Sequence, residues 1–209
     1  MSSTEEKAQP SAAPRRRLSR ADRQRQLLDV AWRLVREEGS EALTLARLAD
    51  QAGVTKPIVY DHFITRSGLL AALYKDFDVR QMAVINAAIE ASEPELESRA
   101  QVIASSFVEC VLLQGREIPG VSAALSGSPE LERIKRECEG KFLDKCRVVL
   151  EPFAGTNGVG QAGLRAMLGA AEALSNAAAT GEISADEAKQ ELFASIVAMV
   201  GRTVDTSPS

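Results

Sequence analysis

The chain has 209 residues, of which 45% are hydrophobic and 4% aromatic, and its formal net charge is −4. This length supplies a sizeable core for one or two domains, and a composition dominated by Ala, Leu and Val favours packed helices over sheets. No apolar run approaches the length of a bilayer span, and residues 1–18 lack the apolar stretch of a secretory signal, so we expect a cytoplasmic protein without a membrane partner.

Catalytic and metal-binding patterns are missing from the sequence. The single histidine is His62, and the chain contains neither an HExxH motif nor a GxxxxGK(S/T) phosphate loop. Cys110, Cys138 and Cys146 lack the paired spacing of a zinc site, so we expect buried, reduced thiols with no metal and no cofactor. A disulfide between Cys138 and Cys146 is disfavoured because the two would lie too far apart on one helix. The sequence therefore argues against an enzyme.

Charge is unevenly distributed along the chain. Residues 15–80 carry 13 Lys and Arg against 9 Asp and Glu, whereas residues 81–209 carry 11 against 18. A basic N-terminal part joined to an acidic remainder fits a polyanionic partner at one end of the molecule. The basic excess is modest, so it supports DNA binding only in combination with a motif.

The N-terminal residues 1–18 mix Ser, Ala, Pro, Glu and Arg without periodicity, which predicts a disordered basic arm. Two interpretations of its arginines remain open: a solvated tail, or added contacts to phosphates and the minor groove. The residues concerned are Arg15, Arg16, Arg17 and Arg20. A first helix is predicted over about residues 19–38, where Leu27, Ala31, Leu34 and Val35 form an apolar stripe that ends before Gly39.

Two short helical patterns then meet at a glycine. The first has an apolar stripe at i, i+3, i+4 and i+7, formed by Leu45, Leu48, Ala49 and Ala52. Gly53 supplies the turn, because a left-handed backbone costs little without a Cβ atom. Thr55 is the expected N-cap of the second helix, and Pro57 lies in its first turn. Side chains expected to face inward are Val54, Val59 and Phe63; those expected outside are Thr55, Lys56, Ile58, Tyr60, Asp61 and His62. This layout is typical of a helix-turn-helix.

Five further helices are predicted before the chain ends, together with one long helix directly after the motif. Thr65 should cap the long helix, over residues 66–91, in which Gly68 weakens the first turn. The others fall at about residues 94–114, 118–126, 130–150, 161–180 and 184–202. Ser184 and Glu187 form a capping box at the start of the last one. The predicted fold is all-α, with about nine helices.

The stretch from about residue 20 to 73 carries a dense set of motif positions: Ala31, Leu34, Val35, Gly39, Leu43, Thr44, Leu48, Ala49, Ala52, Gly53, Val54, Tyr60, His62, Phe63, Leu69 and Leu70. In these positions it resembles the TetR family of bacterial transcriptional regulators. The resemblance implies an N-terminal three-helix helix-turn-helix DNA-binding domain over residues 19–80. It also implies a C-terminal helical domain over residues 81–209 that binds an effector and dimerises.

Candidate DNA contacts follow from the motif and the resemblance. The first residues of the second motif helix should meet base edges in the major groove: Thr55, Lys56, Pro57 and Ile58. The resemblance assigns phosphate contacts to Tyr60 and His62, and helix N-termini offer further phosphate sites at Thr44, Thr65 and Arg66, with Arg47 a weaker candidate. Each has a plainer alternative: the threonines can serve only as N-caps, Tyr60 can pack, and His62 can be a surface histidine. Asp61 can accept from cytosine or be repelled by phosphate, so its role is open.

The C-terminal part offers weaker evidence. Seven side chains either line an apolar effector cavity or belong to an ordinary core: Met82, Phe107, Val111, Leu125, Phe142, Cys146 and Met167. Residues 163–179 are crowded with Ala, Gly and Ser, which allows close helix packing. The TetR resemblance implies that the last two helices pair with a second copy.

The expected function is a homodimeric transcriptional repressor that binds a near-palindromic operator in double-stranded DNA. An unknown small-molecule effector would release it. The alternative is a DNA-binding structural or adaptor protein with the same fold and no effector. An enclosed cavity in the C-terminal part would favour the first interpretation. The sequence leaves open the effector, the operator, the regulated genes and the choice between repressor and activator.

Overall fold

The computed structural model describes residues 18–117, 121, 123, 124 and 128–205. Within these residues the chain forms eight α-helices, a short 3-10 helix and no strand, so the all-α prediction is confirmed. The helices are α1 (Arg20–Glu38), α2 (Leu45–Ala52), α3 (Lys56–Phe63), α4 (Arg66–Ala91), α5 (Leu96–Glu117), α6 (Pro129–Leu150), α7 (Gln161–Thr180) and α8 (Ala185–Asp205). The predicted arm up to residue 17, most of the predicted helix at 118–126, and Leu125 lie outside the described residues.

The helix-turn-helix forms where the sequence places it. The Thr44 hydroxyl oxygen accepts a hydrogen bond from the Arg47 N–H at 3.0 Å and so caps α2. Gly53 ends α2 in the left-handed region, at φ +64° and ψ +35°. The N–H of Val54 then donates to the Ala49 carbonyl at 3.1 Å, which satisfies a free carbonyl at the helix end. This turn sets the angle between α2 and α3.

A compact hydrophobic cluster holds α1, α2 and α3 against the first half of α4. Its members include Leu27, Ala31, Leu34, Leu43, Leu48, Val59, Phe63, Leu69, Leu70, Leu73 and Phe77. Trp32 of α1 lies at its edge and donates its indole N–H to Asp76 of α4 at 2.7 Å. The Arg80 guanidinium stacks 4.3 Å from the centroid of the indole ring and also pairs with Asp76. These contacts fix α4 to the helices that present α3.

The junction between α3 and α4 is unusually tight. The Thr65 N–H donates to the Phe63 carbonyl at 2.6 Å, across Ile64, which has φ +61° and ψ −53°. A β-branched residue in this region costs about 1–3 kcal/mol, so the surrounding contacts must hold the turn in place. A Cβ atom on Gly68 would lie 2.3 Å from the Phe63 carbonyl oxygen. Gly68, expected only to weaken the helix, is therefore required for this close approach.

We expect Gly68→Ala to lower the free energy of unfolding by about 1–3 kcal/mol, because the added methyl group must push against backbone. Gly140→Ala is the matched control, since a Cβ atom at that position in α6 would meet nothing within 4 Å. That control should gain about 0.5–1 kcal/mol from improved helix propensity. Urea denaturation of both variants measures the difference; equal stabilisation of the two would contradict the tight junction.

A second hydrophobic cluster joins the remaining helices. It centres on α5, which packs against α8, α7 and the second half of α4, and α6 closes the side. The helices α7 and α8 form a hairpin across a short connection. There Ser184 and Glu187 exchange hydrogen bonds, the Ser184 N–H donating at 2.8 Å and the Glu187 N–H at 3.1 Å, so the predicted capping box is present.

Helix boundaries differ from the prediction mainly around α5 and α6. The helix α5 starts at Leu96 and continues to Glu117, three residues beyond the predicted end. A 3-10 helix over Glu151–Phe153, which the sequence analysis missed, extends the end of α6. The two clusters meet along α4, where Phe77 belongs to the first and Ile85 to the second. The division into domains at residues 80 and 81 stays a prediction that agrees with this change of cluster.

Candidate DNA-binding surface and effector cavity

The outer face of α3 is the first candidate site. Val59 and Phe63 are buried beneath this helix and hold it on the cluster. The exposed side chains on its other side are Thr55, Lys56, Pro57, Tyr60 and Asp61. The Thr55 side chain makes no capping hydrogen bond, in contrast to Thr44 and Thr65, so its hydroxyl is available to a ligand. The structure thus brings four of the ten predicted DNA contacts, Thr55, Lys56, Pro57 and Tyr60, onto one accessible face.

Two predicted outer residues are less exposed than expected. Ile58 and His62 are both half-buried, because they lie one turn apart on the flank of α3 between its inner and outer faces. Burial, followed by the positive charge of Arg20, lowers the pKa of His62. The imidazole is therefore neutral near pH 7, and a phosphate contact would use one ring N–H rather than a positive charge.

Asp61 has a partner that is distant in the sequence. Arg20, the first residue of α1, donates from Nη1 to the Asp61 carboxylate at 2.8 Å and from Nη2 to the Asp61 carbonyl at 3.2 Å. Both side chains remain about two-thirds exposed, at 68% and 66%. The carboxylate on the outer face of α3 is thus charge-paired, and the guanidinium is held beside the exposed side of that helix.

The other predicted phosphate contacts are engaged within the protein. Thr44 and Thr65 are N-caps, and Thr65 accepts from the Gly68 N–H at 3.0 Å; each hydroxyl still has a hydrogen to donate. Arg66 donates to the carbonyls of Leu43 and Ser40 at 2.9 and 2.8 Å, and Arg47 pairs with Glu38 at 2.6 Å. Both arginines therefore tie α1, α2 and α4 together.

A cavity of about 470 Å³ lies between α4, α5, α6 and α7. Four of the predicted residues line it: Met82, Phe107, Val111 and Phe142. Cys146 and Met167, which were also predicted, are buried in the core and do not line this cavity. Their neighbours explain the difference: Phe142 lines the cavity one turn before Cys146, and Leu168 faces it in place of Met167.

The cavity is much more polar than the sequence analysis expected. The further lining residues are Tyr74, Asp78, Gln81, Ile85, Cys110, Gln114, Lys135, Cys138, Glu139, Leu168, Glu172 and Asn176. On α4 they follow helical spacing, from Tyr74 through Asp78 and Met82 to Ile85. This stripe of α4 faces inward, yet it contains polar side chains. Polar side chains that recur in such a stripe are the feature of the sequence that could have located this wall of the cavity.

The three thiols are poorly ionised. Burial raises the pKa of Cys110 to about 11 and, with a hydrogen bond to Asp78, raises the pKa of Cys138 to about 12. Burial alone raises the pKa of Cys146 to about 12. Among the described residues no group of three or more His, Cys, Asp or Glu side chains could hold a metal ion.

We expect these thiols to resist alkylation by iodoacetamide at pH 8 in the native protein. The thiolate is the reactive form, so a pKa several units above the solution pH slows the reaction roughly a hundredfold or more relative to the unfolded chain. Mass spectrometry after timed labelling, with and without urea, measures the ratio. Fast native labelling of Cys138 would contradict the raised pKa of its thiol.

Comparison with known proteins identifies the N-terminal part. The family model for bacterial regulatory proteins of the tetR family matches residues 27–73, which run from α1 to the start of α4. Over these residues the chain matches the TetR family. In the part of the chain that the structure describes, no helix combines the length and apolar character needed to span a bilayer.

Its relatives match over part of their length. The nucleoid occlusion factor SlmA of Glaesserella parasuis is 28% identical over 107 residues, covering 51% of this chain and 50% of SlmA. The HTH-type transcriptional regulator BetI of Brucella anthropi is 33% identical over 86 residues, covering 41% of this chain and 44% of BetI. The matched region thus spans at most about half the length of these relatives.

The fold extends the similarity over most of the chain. A TetR-family transcriptional regulator from Rhodococcus sp. superposes with a TM-score of 0.64, at 19% identity, covering 86% of this chain and 99% of the other. The similarity in fold therefore extends to helices beyond the helix-turn-helix.

Proposed function

We propose that this protein is a homodimeric transcriptional repressor in the cytoplasm, which binds a near-palindromic operator in double-stranded DNA and leaves it when a small molecule binds. The main support for the proposal is the exposed outer face of α3, a helix that the hydrophobic cluster beneath it holds in place. Thr55, Lys56 and Pro57 lie at the start of that helix, where a recognition helix meets base edges. Lys56 can donate to guanine acceptors, and Pro57 can contact a thymine methyl group.

Phosphate contacts would hold the duplex around α3. Tyr60 is 50% exposed on the same face and can donate its phenolic hydrogen. Arg20, held by Asp61, brings a positive charge to the edge of this face. The N-termini of α2 and α4, capped by Thr44 and Thr65, add partial positive charge. These contacts fix position, whereas the start of α3 selects sequence.

A second copy would be bound through α7 and α8. The inward faces of both helices pack on α5, and the outward faces present small side chains. The exposed small residues are Ala162, Ala166, Gly169 and Ala173 on α7, and Ala194 and Ala198 on α8. Small side chains let helix axes approach closely, which supports a four-helix interface between two hairpins.

The helix α4 supports coupling between the cavity and DNA. Its residues Tyr74 and Asp78 line the cavity, while Asp76 on the same helix bonds Trp32 of α1. Its first turn contacts the end of α3 at Gly68. A ligand that favours a different tilt of α4 would therefore move the recognition helices and change their spacing in a dimer.

Selection of bound fragments from a random DNA pool tests this function. We expect a near-palindromic sequence whose half-sites are centred about 34–36 Å apart, one helical turn of DNA. Size-exclusion chromatography with light scattering on the same protein should give the mass of two chains. Failure to enrich any sequence at low salt, or a monomer at micromolar concentration, would reject the proposal.

The alternative is a DNA-binding structural or adaptor protein without an effector. It is supported by the 28% identity to a nucleoid occlusion factor over half of this chain. The cavity between α4 and α7 favours the repressor. If a ligand fills the cavity and the affinity for the selected DNA stays constant, the alternative is the better description.

A further inference from the structure

The effector cavity has one apolar wall. The rings of Phe107 and Phe142 meet there with their centroids 5.1 Å apart and their planes tilted by 54°. Met82, Ile85 and Leu168 extend the same surface. A cavity of about 470 Å³ with such a wall is of the size and character that holds a small organic ligand.

The remaining walls carry an excess of negative charge. Asp78, Glu139 and Glu172 contribute carboxylates, and Lys135 contributes the one ammonium group among the described lining residues. Burial, followed by the charge of Glu139, raises the pKa of Glu172, and the charge of Lys135 acts in the opposite direction. Glu139 has an arginine partner outside the cavity, Arg165, at 3.6 Å.

Asp78 is the carboxylate of the cavity wall that has no positively charged side chain paired with it in the part of the chain that the structure describes. Its neighbours are thiols instead: after burial, the charge of Asp78 is a further cause that raises the pKa of both Cys138 and Cys110. A half-buried carboxylate gains more from a cation than an exposed one does, because water screens and solvates it less.

We propose that the cavity binds a small amphipathic amine in its protonated, singly charged form, with the ammonium group at Asp78 and the apolar body against Phe107 and Phe142. This inference rests on the proposed function, because it names the chemical class of the effector. The ammonium donates hydrogen bonds to Asp78 and to the amide oxygens of Gln81 or Gln114, which line the same region. An anionic ligand is excluded by the same carboxylates that attract the amine.

Three probes that differ mainly in their polar group test this class: 4-phenylbutylamine, 4-phenylbutanol and 4-phenylbutyrate. Isothermal titration calorimetry of the full chain at pH 7 should show binding of the amine, about tenfold weaker binding of the alcohol, and none of the carboxylate. Such a ratio corresponds to one charge-assisted hydrogen bond. Equal affinities for amine and alcohol, or preference for the carboxylate, would overturn the proposal.

Asp78→Asn assigns the interaction to one side chain. We expect it to weaken amine binding about tenfold and to leave alcohol binding unchanged, which also shows that the cavity is intact. Asp144→Asn, on the outer side of α6, removes the same charge from an exposed position and should change neither affinity. If Asp78→Asn does not fold, Asp78→Ser, which also removes the charge, replaces it, with the same expected loss. An amine affinity unchanged by removal of the cavity carboxylate overturns the assignment.

Failure of this inference and failure of the proposed function give different results. DNA selection with the same protein and no ligand tests the repressor alone. Enriched DNA with no amine binding rejects the ligand class and keeps the DNA-binding function. Amine binding without any enriched DNA rejects the repressor and keeps the cavity assignment. When both succeed, the amine should lower affinity for the selected DNA, and the carboxylate should not.

Discussion

The Lys56→Ala variant is expected to bind the selected operator about 5- to 150-fold more weakly than the unmodified protein, while remaining a dimer of normal stability. The range corresponds to about 1–3 kcal/mol for a side chain that reads a base edge. Lys56 is exposed at the start of α3 and makes no contact that supports the cluster below it. The variant should also tolerate changes at one base position of the operator, because the lost contact selected that base.

Fluorescence anisotropy with a labelled operator, repeated for each single-base substitution, measures both effects. Lys75→Ala is the matched control, since it removes the same charge from an exposed site on α4. Tyr60→Phe should weaken binding to every sequence alike, because its hydroxyl is assigned to phosphate. If Lys56→Ala and Lys75→Ala bind equally well and with equal selectivity, α3 is not the recognition helix.

Much of the N-terminal fold was predictable because its determinants are local. The glycine at the α2–α3 turn, the threonine N-caps and the i, i+3, i+4 spacing of buried residues each act within a few positions of the chain. Thr44, Gly53 and Thr65 occupy the predicted sites for that reason. The exposure of Ile58 was overestimated, because the flank of an eight-residue helix depends on the orientation of its neighbours.

Long-range pairs could not be predicted in this way. The sequence leaves the role of Asp61 open, and its partner Arg20 lies 41 positions earlier in the chain. The requirement for glycine at position 68 could not be predicted for a similar reason, because the atom that excludes a side chain there belongs to the preceding helix. Both contacts depend on how α1, α3 and α4 pack, which periodicity within one helix does not specify.

The lining of the cavity in the C-terminal part of the chain was also only partly predictable from the sequence. Periodicity identified inward-facing apolar residues, but core and cavity positions have the same pattern. Met167 and Leu168 are both buried, and only Leu168 faces the cavity. The polar lining was missed because Asp78 and Gln81, taken alone, resemble residues of a solvated helix face.

Removal of the Arg20 side chain, the partner of Asp61, is the second change that we expect to have a large effect on operator binding. Arg20→Ala should weaken operator binding on the order of tenfold or more, for two reasons that add. The variant loses a phosphate contact, and it leaves the Asp61 carboxylate unpaired beside the DNA, where each like-charge pair costs about 1 kcal/mol in water. The slope of log affinity against log salt should also fall by about 0.9 for the lost phosphate contact.

The double variant Arg20→Ala/Asp61→Asn separates the two reasons. It should recover part of the affinity, because the unpaired carboxylate is gone, while the reduced salt slope stays. Arg33→Ala is the control: it removes the same charge from an exposed position thirteen residues further along α1, about 20 Å away along the helix axis. Equal affinities for Arg20→Ala and Arg33→Ala would show that the Arg20–Asp61 pair serves only to join α1 to α3. Recovery in the double variant would show that Arg20, besides contacting a phosphate, neutralises the Asp61 carboxylate beside the DNA.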